Sequence, residues 1–189
     1  MAELVGQIVD ELETYVSDLA TVFGYTTGAV RLWIAQISGI QPIPENPDPC
    51  VYWSDGNPNK PDTLKFDGWR RSRILAESAT NGVIVTSLSH QFIVNLYSSW
   101  EHNFRVRLAR AIHCELDDVK TPFFSDIRHI RDDVVHCRGT ATRENTGKCE
   151  VFQWFKEGGD IRLNAAKVRD LLEKAPWTEL RALALAADG

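Results

Sequence analysis

The residues of this chain that could do chemistry are grouped between positions 127 and 139, where charged and imidazole side chains alternate with apolar ones. The apolar ones recur every three or four positions, the pattern of a helix with one buried face: Phe123, Ile127, Ile130, Val134 and Cys137. At about 100° per residue, Arg128, Asp132 and His136 stack one turn apart on the opposite face. Histidine exchanges protons near neutral pH, so this column could carry acid–base chemistry, although a solvated, salt-bridged face has the same composition.

Arg131 and His136 form a second pattern, an arginine followed after four intervening residues by a histidine, with the arginine on the flank of the helix. Such spacing alone is a weak signal, and we attribute a related match between Arg107 and His113 to chance. The context of the first pair is more specific. A polar aspartate follows the arginine, two valines precede the histidine, and Gly139 stands where helices commonly end in a left-handed residue.

The elements that must position this motif are predicted to be helices. The longest periodic segment, Val83 to His113, precedes it, and Pro122 opens the motif helix, which is predicted to run to Arg138. After Gly139, two short apolar runs separated by Gly158-Gly159 predict a β-hairpin, at 149–155 and 161–163. Asn164 then caps a further helix, and an Ala- and Leu-rich tail adds another helical turn or two.

The amino-terminal third is predicted to be a helix followed by a long loop. Residues 3–23 are amphipathic and Gly24 is a natural stop, whereas residues 27–38 fit either a strand or a helix, with helix preferred. Six of the eight prolines fall in a predicted loop at 39–64, and a short helix is predicted from Phe66 to Glu77. The sequence therefore predicts one mainly α domain over 1–189, a helical bundle with a core at about 66–175 and a small β-hairpin near the C-terminus.

Composition limits the function classes. The net charge is −5, and residues 1–62 alone carry −7, from nine acidic and two basic residues, so a nucleic-acid site belongs in the later two-thirds. No apolar run approaches the roughly 20 residues of a membrane span, and no basic leader is expected at the start, which predicts a cytoplasmic protein. Four cysteines without a Cys-x-x-Cys predict reduced thiols, and the His113-Cys114 and His136-Cys137 neighbours point too far apart to favour zinc.

The stretch from Arg131 to Gly139 resembles the signature of HEPN domains, in which an arginine is followed by a polar residue, often asparagine, then three residues, a histidine and commonly a glycine. The stretch Tyr97-Ser98-Ser99-Trp100-Glu101 resembles the aromatic and acidic part of the family's preceding helix. The predicted hairpin and the helix after it resemble the tail of several HEPN-like bacterial proteins. The resemblance covers about residues 83–175. Asp132 departs from the commoner asparagine and adds a negative charge beside the arginine.

The resemblance implies a fold, an activity and partners. HEPN domains are all-α ribonucleases of toxin–antitoxin, phage-defence and RNA-processing systems, and they cleave RNA without a metal by using the 2′-hydroxyl as the internal nucleophile. They usually form homodimers that bring two motif helices together across one cleft. The implied partners are therefore RNA and a second copy of the chain, with an antitoxin or another protein as a further candidate, and no cofactor is implied.

The same resemblance implies the catalytic roles. His136 would be the general acid or base, in the last helical turn where the carbonyl end of the dipole favours imidazolium. Asp132, one turn earlier, would fix the tautomer of the imidazole. Arg131 would hold the scissile phosphate with its planar fork and offset the developing charge.

Supporting roles fall to three other residues. Arg128 and Arg138 would contact the RNA backbone. Glu101 would orient Arg131 from the neighbouring helix, or else simply pair with Arg105, four residues on.

Two readings compete with the nuclease. A non-catalytic HEPN-fold dimer would bind RNA or a partner protein through the same helix, and the acidic net charge and Asp132 favour that reading. A helical structural subunit with a fortuitous motif is the third possibility. The Trp and Phe side chains of the predicted hairpin cover the core in preference to stacking on bases.

Overall fold

The computed structural model describes residues 1–55, 60 and 64–187. The fold is mainly helical, which confirms the predicted fold class. The α-helices are α1 Ala2–Ser38, α2 Arg71–Ser78, α3 Val83–Ser99, α4 Arg105–Ala111, α5 Pro122–His136, α6 Arg143–Thr146, α7 Ala165–Glu173 and α8 Trp177–Ala187. A π-helical turn, Trp100–Phe104, joins α3 to α4, and a 3-10 turn spans Leu116–Asp118. No helix within the described ranges is long and apolar enough to cross a membrane.

The chain forms two compact units, of which the larger comprises Met1–Tyr25 and Thr86–Gly189. Its core is one continuous cluster to which the first turns of α1, the α3–α4 helix, α5, α7 and α8 all contribute. The largest fully buried side chains in this unit are Ile8, Leu12, Ile93, Leu96, Leu108, Phe123, Ile127, Phe152, Ile161, Leu171 and Leu180. The motif helix α5 therefore lies against the main core of the protein.

The smaller unit, Thr26–Val85, contains the two-stranded antiparallel sheet of β1 Cys50–Asp55 and β2 Leu64–Arg70. Cys50 pairs with Arg70, and the register shifts at a bulge between Val51 and Trp53. The Asp48 carboxylate accepts hydrogen bonds from the backbone and hydroxyl of Ser72 at the start of α2, at 2.9 and 2.7 Å. The predicted loop at 39–64 thus contains a strand, and only the second part of the helix predicted from Phe66 is helical.

The predicted stop at Gly24 is wrong, because α1 continues without interruption to Ser38. A glycine inside a helix lowers its stability by about 1 kcal/mol relative to alanine. The packing of one face of α1 against the core offsets a loss of this size. Gly24 does not form the left-handed cap that ends many helices, because it is not among the described residues with a positive φ.

The β-hairpin predicted near the C-terminus is also wrong, since the described sheet lies mid-chain and residues 149–163 are irregular. The backbone amides of 150, 151 and 152 donate to the Asp126 carboxylate of α5 instead of to a partner strand. The later part of the segment pairs elsewhere, because Ile161 donates to the carbonyl of Gly139 at 2.8 Å and Gly158 donates to that of Ala141 at 2.9 Å.

The motif helix begins where the sequence predicts and ends two residues earlier. The Thr121 hydroxyl caps it by accepting from the Phe124 amide at 3.2 Å, and Pro122 occupies the first turn. Arg138 and Gly139 both have positive φ, 55° and 76°. The amide of Gly139 donates to the Asp133 carbonyl at 3.0 Å, so the chain turns sharply after His136.

We predict that Gly139→Ala destabilises the protein by about 3 kcal/mol, from left-handed strain and overpacking together. A Cβ at Gly139 would lie 2.3 Å from Cε1 of His90. Gly158 is the matched control, because its φ is 77° but a Cβ there meets nothing within 4 Å. Gly158→Ala should lower the free energy of unfolding by only about 1 kcal/mol. Urea unfolding followed by circular dichroism measures both losses. Equal losses for the two variants would mean that the His90 contact carries no energy.

Candidate functional site

The two faces of α5 differ as the sequence predicts. Phe123, Ile127, Ile130 and Val134 are buried, whereas Arg128 and His136 are exposed. Arg131 and Asp132 are partly buried, with 29% and 32% of their side-chain surface exposed. Arg138 is exposed but follows the helix end. Arg128, Asp132 and His136 thus lie on the accessible face of α5. Arg131 lies on its flank and Arg138 in the turn after it.

Two neighbours hold the Arg131 guanidinium in place. Its Nη1 donates to Oδ1 of Asp132 at 2.7 Å, and its Cζ lies 5.1 Å from the centre of the Tyr97 ring, within cation–π range. Asp132 therefore uses its carboxylate on the arginine, and no hydrogen bond between it and His136 occurs among the described residues. The His136 imidazole stands exposed in the last turn of α5.

Glu101 pairs with Arg105 instead of contacting Arg131 directly. Nη1 of Arg105 donates to both Glu101 oxygens at 2.9 Å, Nη2 donates to Asp117 at 3.1 Å, and Nε donates to the Val119 carbonyl at 3.0 Å. The Tyr97 hydroxyl also donates to Glu101, at 3.3 Å. Glu101 is thus linked to the ring that lies against Arg131. Burial raises the pKa of the Tyr97 phenol, and the nearby Glu101 carboxylate raises it further.

These residues border a cleft of about 590 Å³ between the α3–α4 helix and the first turns of α5. Tyr97, Glu101 and Arg128 line it, together with Lys120 and Lys148. The Trp100 and Phe124 rings, which also line it, are parallel to within 1° with centroids 3.8 Å apart. The π-helical turn that carries Trp100 and Glu101 is a rare conformation that occurs often at functional sites.

Sequence reasoning missed two buried carboxylates on α5, those of Asp126 and Asp133, each 1% exposed. Asp126 accepts from three successive backbone amides, at 3.1, 2.7 and 2.8 Å. Asp133 accepts from the Thr142 amide and hydroxyl at 2.8 and 2.7 Å and from the Asn145 amide nitrogen at 2.5 Å. The sequence contains a signal for their position: Asp126 and Asp133 are seven residues apart, four before and three after the buried Ile130, which is the spacing of one helix face.

The cysteines near these carboxylates are held in the thiol form. Burial, with the Asp126 and Asp133 carboxylates nearby, raises the pKa of Cys149 to about 12. Partial burial and the Asp133 carboxylate also raise the pKa of Cys137. All four cysteines are free, and no group of three or more histidine, cysteine, aspartate or glutamate side chains within the described residues could hold a metal ion.

Comparison of the chain with protein-family models, with curated proteins and with solved structures finds no match.

The adjacent acids Asp132 and Asp133 provide a matched pair of variants. We predict that Asp133→Ala lowers the free energy of unfolding by about 3 kcal/mol, because three hydrogen-bond donors of Thr142 and Asn145 lose their buried acceptor. Asp132→Ala should change it by less than about 1 kcal/mol, because only a partly exposed ion pair is lost. Urea unfolding of both proteins measures this difference. Similar losses would contradict the assignment of Asp133 to the core and Asp132 to the surface.

His90 of α3 supports the end of the motif helix. Its Nε2 donates to the Ile161 carbonyl at 3.1 Å, and its ring lies where a side chain at Gly139 would be. Burial lowers the pKa of the imidazole and Arg162 lowers it further, while the hydrogen bond to Ile161 and the Asp160 carboxylate oppose this. The folded protein therefore favours the neutral ring.

Because the pKa of His90 is lower in the folded protein than its ordinary value of 6.5, the neutral ring stabilises the fold fully above pH 6.5. This stabilisation is lost as the pH falls towards the lower pKa of the folded state. We predict that the melting temperature of the wild type falls more between pH 7.5 and pH 5 than that of His90→Gln, whose amide keeps a donor but does not titrate. Other acidic and histidine groups titrate in both proteins and cancel in the comparison. Parallel curves would rule out His90 as the source.

Proposed function

We propose that this protein is a metal-independent endoribonuclease of the HEPN type that acts as a homodimer. The observation that carries the proposal is the accessible side of α5, where an exposed imidazole, His136, follows an arginine, Arg131, whose guanidinium is already oriented by two neighbours. The resemblance of 131–139 to the HEPN signature assigns these residue types to RNA cleavage. We place the activity in the cytoplasm, in bacterial defence or in toxin–antitoxin growth control.

In the proposed reaction, the 2′-hydroxyl of one nucleotide attacks the adjacent phosphorus and the bond from phosphorus to the 5′-oxygen breaks. A histidine removes the proton from the 2′-hydroxyl, and a protonated histidine donates a proton to the leaving 5′-oxygen. A dimer built through α5 would supply one His136 for each task. The products are a 2′,3′-cyclic phosphate and a 5′-hydroxyl, so water is not consumed in this step.

The surroundings of Arg131 support a role in holding phosphate. Asp132 and Tyr97 restrict the guanidinium, so less side-chain freedom is lost when it binds an oxyanion. Arg128 and Arg138 are exposed and could contact the RNA backbone on either side. Glu101 acts on Arg131 only through Tyr97, which makes it a positioning residue in this proposal.

We predict that the purified protein cleaves mixed cellular RNA in the presence of EDTA and leaves cyclic-phosphate ends. His136→Ala should lower the rate by about 100-fold or more, because general acid–base catalysis is lost. The matched control is His102→Ala, which removes an exposed histidine from the π-helical turn. Cleavage is followed by gel electrophoresis, and the ends are identified by their resistance to phosphatase and their conversion by acid to 2′- or 3′-phosphates.

The controls separate the site from contamination. Equal cleavage by wild type and His136→Ala would contradict the proposed role of His136, whereas a loss in His102→Ala as well would point to a general structural effect. Size-exclusion chromatography with light scattering tests the homodimer. A protein that remains a monomer at assay concentration would contradict the two-histidine scheme.

A non-catalytic RNA- or protein-binding dimer is the second candidate, and the Arg131–Asp132 ion pair favours it. A carboxylate 2.7 Å from the guanidinium competes with a phosphate for the same donors. Binding of RNA without cleavage, or capture of a defined protein such as an antitoxin that covers α5, would favour this function. Asp132→Asn should then strengthen RNA binding, since it removes the competing charge.

A further inference from the structure

The cleft beside α5 has two chemically different parts. Its inner side is aromatic, formed by Tyr97, Trp100 and Phe124, which are 8%, 2% and 2% exposed. Its outer edge carries Lys120, with 66% of its side-chain surface exposed, Lys148 with 53%, and the exposed Arg128. Only the edges of these rings reach the cleft, and the rest of its accessible lining is mostly polar. Beneath a cationic edge, such an interior suits a ligand that combines an anion with a flat ring carrying hydrogen-bonding groups.

The carboxylates that line the cleft are mostly engaged within the protein. Glu101 and Asp117 bind the buried Arg105, and Asp126 accepts three backbone amides. Glu150 and Asp117 are exposed, and of these two only Asp117 is paired with Arg105. The charges of Glu101 and Asp117 are therefore balanced by Arg105, and Glu150 remains as an exposed carboxylate of the lining that opposes an anionic ligand.

The three cations at the edge are available to a ligand. Arg128 makes no hydrogen bond or ion pair with any residue that the structure describes. Lys120 lies 3.8 Å from Asp117, and Lys148 lies 3.4 Å from Glu144, both long and solvent-exposed pairs that contribute little energy. A phosphate could replace these weak partners and bind all three cations.

We propose that this cleft binds one nucleotide, with its phosphate on Arg128, Lys120 and Lys148 and its base in the mostly polar inner part, against the ring edges. The volume of about 590 Å³ lies in the usual range for a site of this ligand size. The nucleotide belongs either to an RNA strand or to a free mononucleotide, since both present the same chemistry. As an RNA subsite, the cleft rests on the proposed function and deepens it.

The place of Arg128 relates the cleft to the proposed reaction. Arg128 precedes His136 by two turns of α5, roughly 12 Å along the helix axis. A strand held in the cleft would therefore pass Arg131 before it reaches the imidazole. The cleft would hold a nucleotide a few positions from the scissile phosphate, so it would set which base is preferred there without taking part in bond cleavage.

The test uses a probe that cannot be cut by the proposed reaction, a fluorescein-labelled, 2′-O-methylated single-stranded RNA of mixed sequence. Fluorescence anisotropy measures its binding to the full chain, and calorimetry measures binding of the four nucleoside 5′-monophosphates and of inorganic phosphate. The variants are Arg128→Gln, which removes the unpaired cation, and Ser125→Trp, which fills the cleft from an exposed position that lines it. Arg110→Gln is the matched control, an exposed arginine outside the cleft lining.

We expect Arg128→Gln and Ser125→Trp each to weaken RNA binding by at least about tenfold, through the loss of one charged contact or of the space itself. Arg110→Gln should bind as the wild type does. The cleft would be assigned to a free nucleotide if Arg128→Gln and Ser125→Trp weaken mononucleotide binding but leave RNA binding unchanged. The proposal would be overturned if neither cleft variant changes the binding of any probe, or if the wild type binds no probe at all. Thermal unfolding identifies a variant that has simply lost its fold.

The outcome is separable from that of the proposed function. If the probe binds through the cleft but natural RNA is never cut, the cleft stands and the nuclease proposal fails. If natural RNA is cut with a dependence on His136 while Arg128→Gln and Ser125→Trp leave KM unchanged, the nuclease stands and the cleft proposal fails.

Discussion

Two buried carboxylates on one side of α5, those of Asp126 and Asp133, fix the path of the chain after the motif helix. Together they accept six hydrogen bonds from residues 142–152. A charged group can be buried at 1% exposure only when its desolvation is offset in this way. Apart from the short helix α6, residues 140–163 are irregular, and these contacts attach them to α5. Phe152, Ile161 and Leu163 then complete the core.

The other side of α5 depends on that anchoring. Because the helix is held from behind, its exposed side chains keep a fixed direction relative to the α3–α4 helix, whose Tyr97 meets Arg131. The π-helical turn adds one residue to the helical repeat and places Trp100 flat against Phe124 of α5. Arg105, buried beneath, joins the same helix to the 3-10 turn through Asp117. The cleft and the candidate catalytic residues therefore belong to the same compact unit and are linked through Tyr97, which lines the cleft and lies against Arg131.

Local signals in the sequence predicted local structure well. The Thr121-Pro122 start of α5, the Asn164 cap of α7 and the buried stripe through Ile127 and Ile130 all follow from helix periodicity and end chemistry, and all are observed. The hairpin failed for a non-local reason. Alternating aromatic residues after Cys149 are typical of a strand, but their amides are taken by a carboxylate more than twenty residues upstream, which no local pattern reveals.

The local features of the candidate site were also predictable from the sequence, whereas its contacts between helices were not. Spacing alone located Arg128, Asp132 and His136 on the accessible face of one helix and Arg131 on its flank. It could not place the Tyr97 ring against the guanidinium or choose Arg105 as the partner of Glu101, because both depend on how two helices pack. Helical periodicity was also sufficient to distinguish the neighbouring acids Asp132 and Asp133, of which one is partly exposed and the other is buried. Their difference in direction follows from a rotation of about 100° about the helix axis.

Asp126 accepts its hydrogen bonds from main-chain amides, so the attachment places little constraint on the sequence of the loop. Any residue except proline supplies such an amide, so positions 150 and 151 can drift in sequence while the loop keeps its attachment to α5. The anchor resides in a single aspartate on the helix and leaves almost no trace in the loop it holds. Distant descendants could therefore differ widely over this segment and still share its shape.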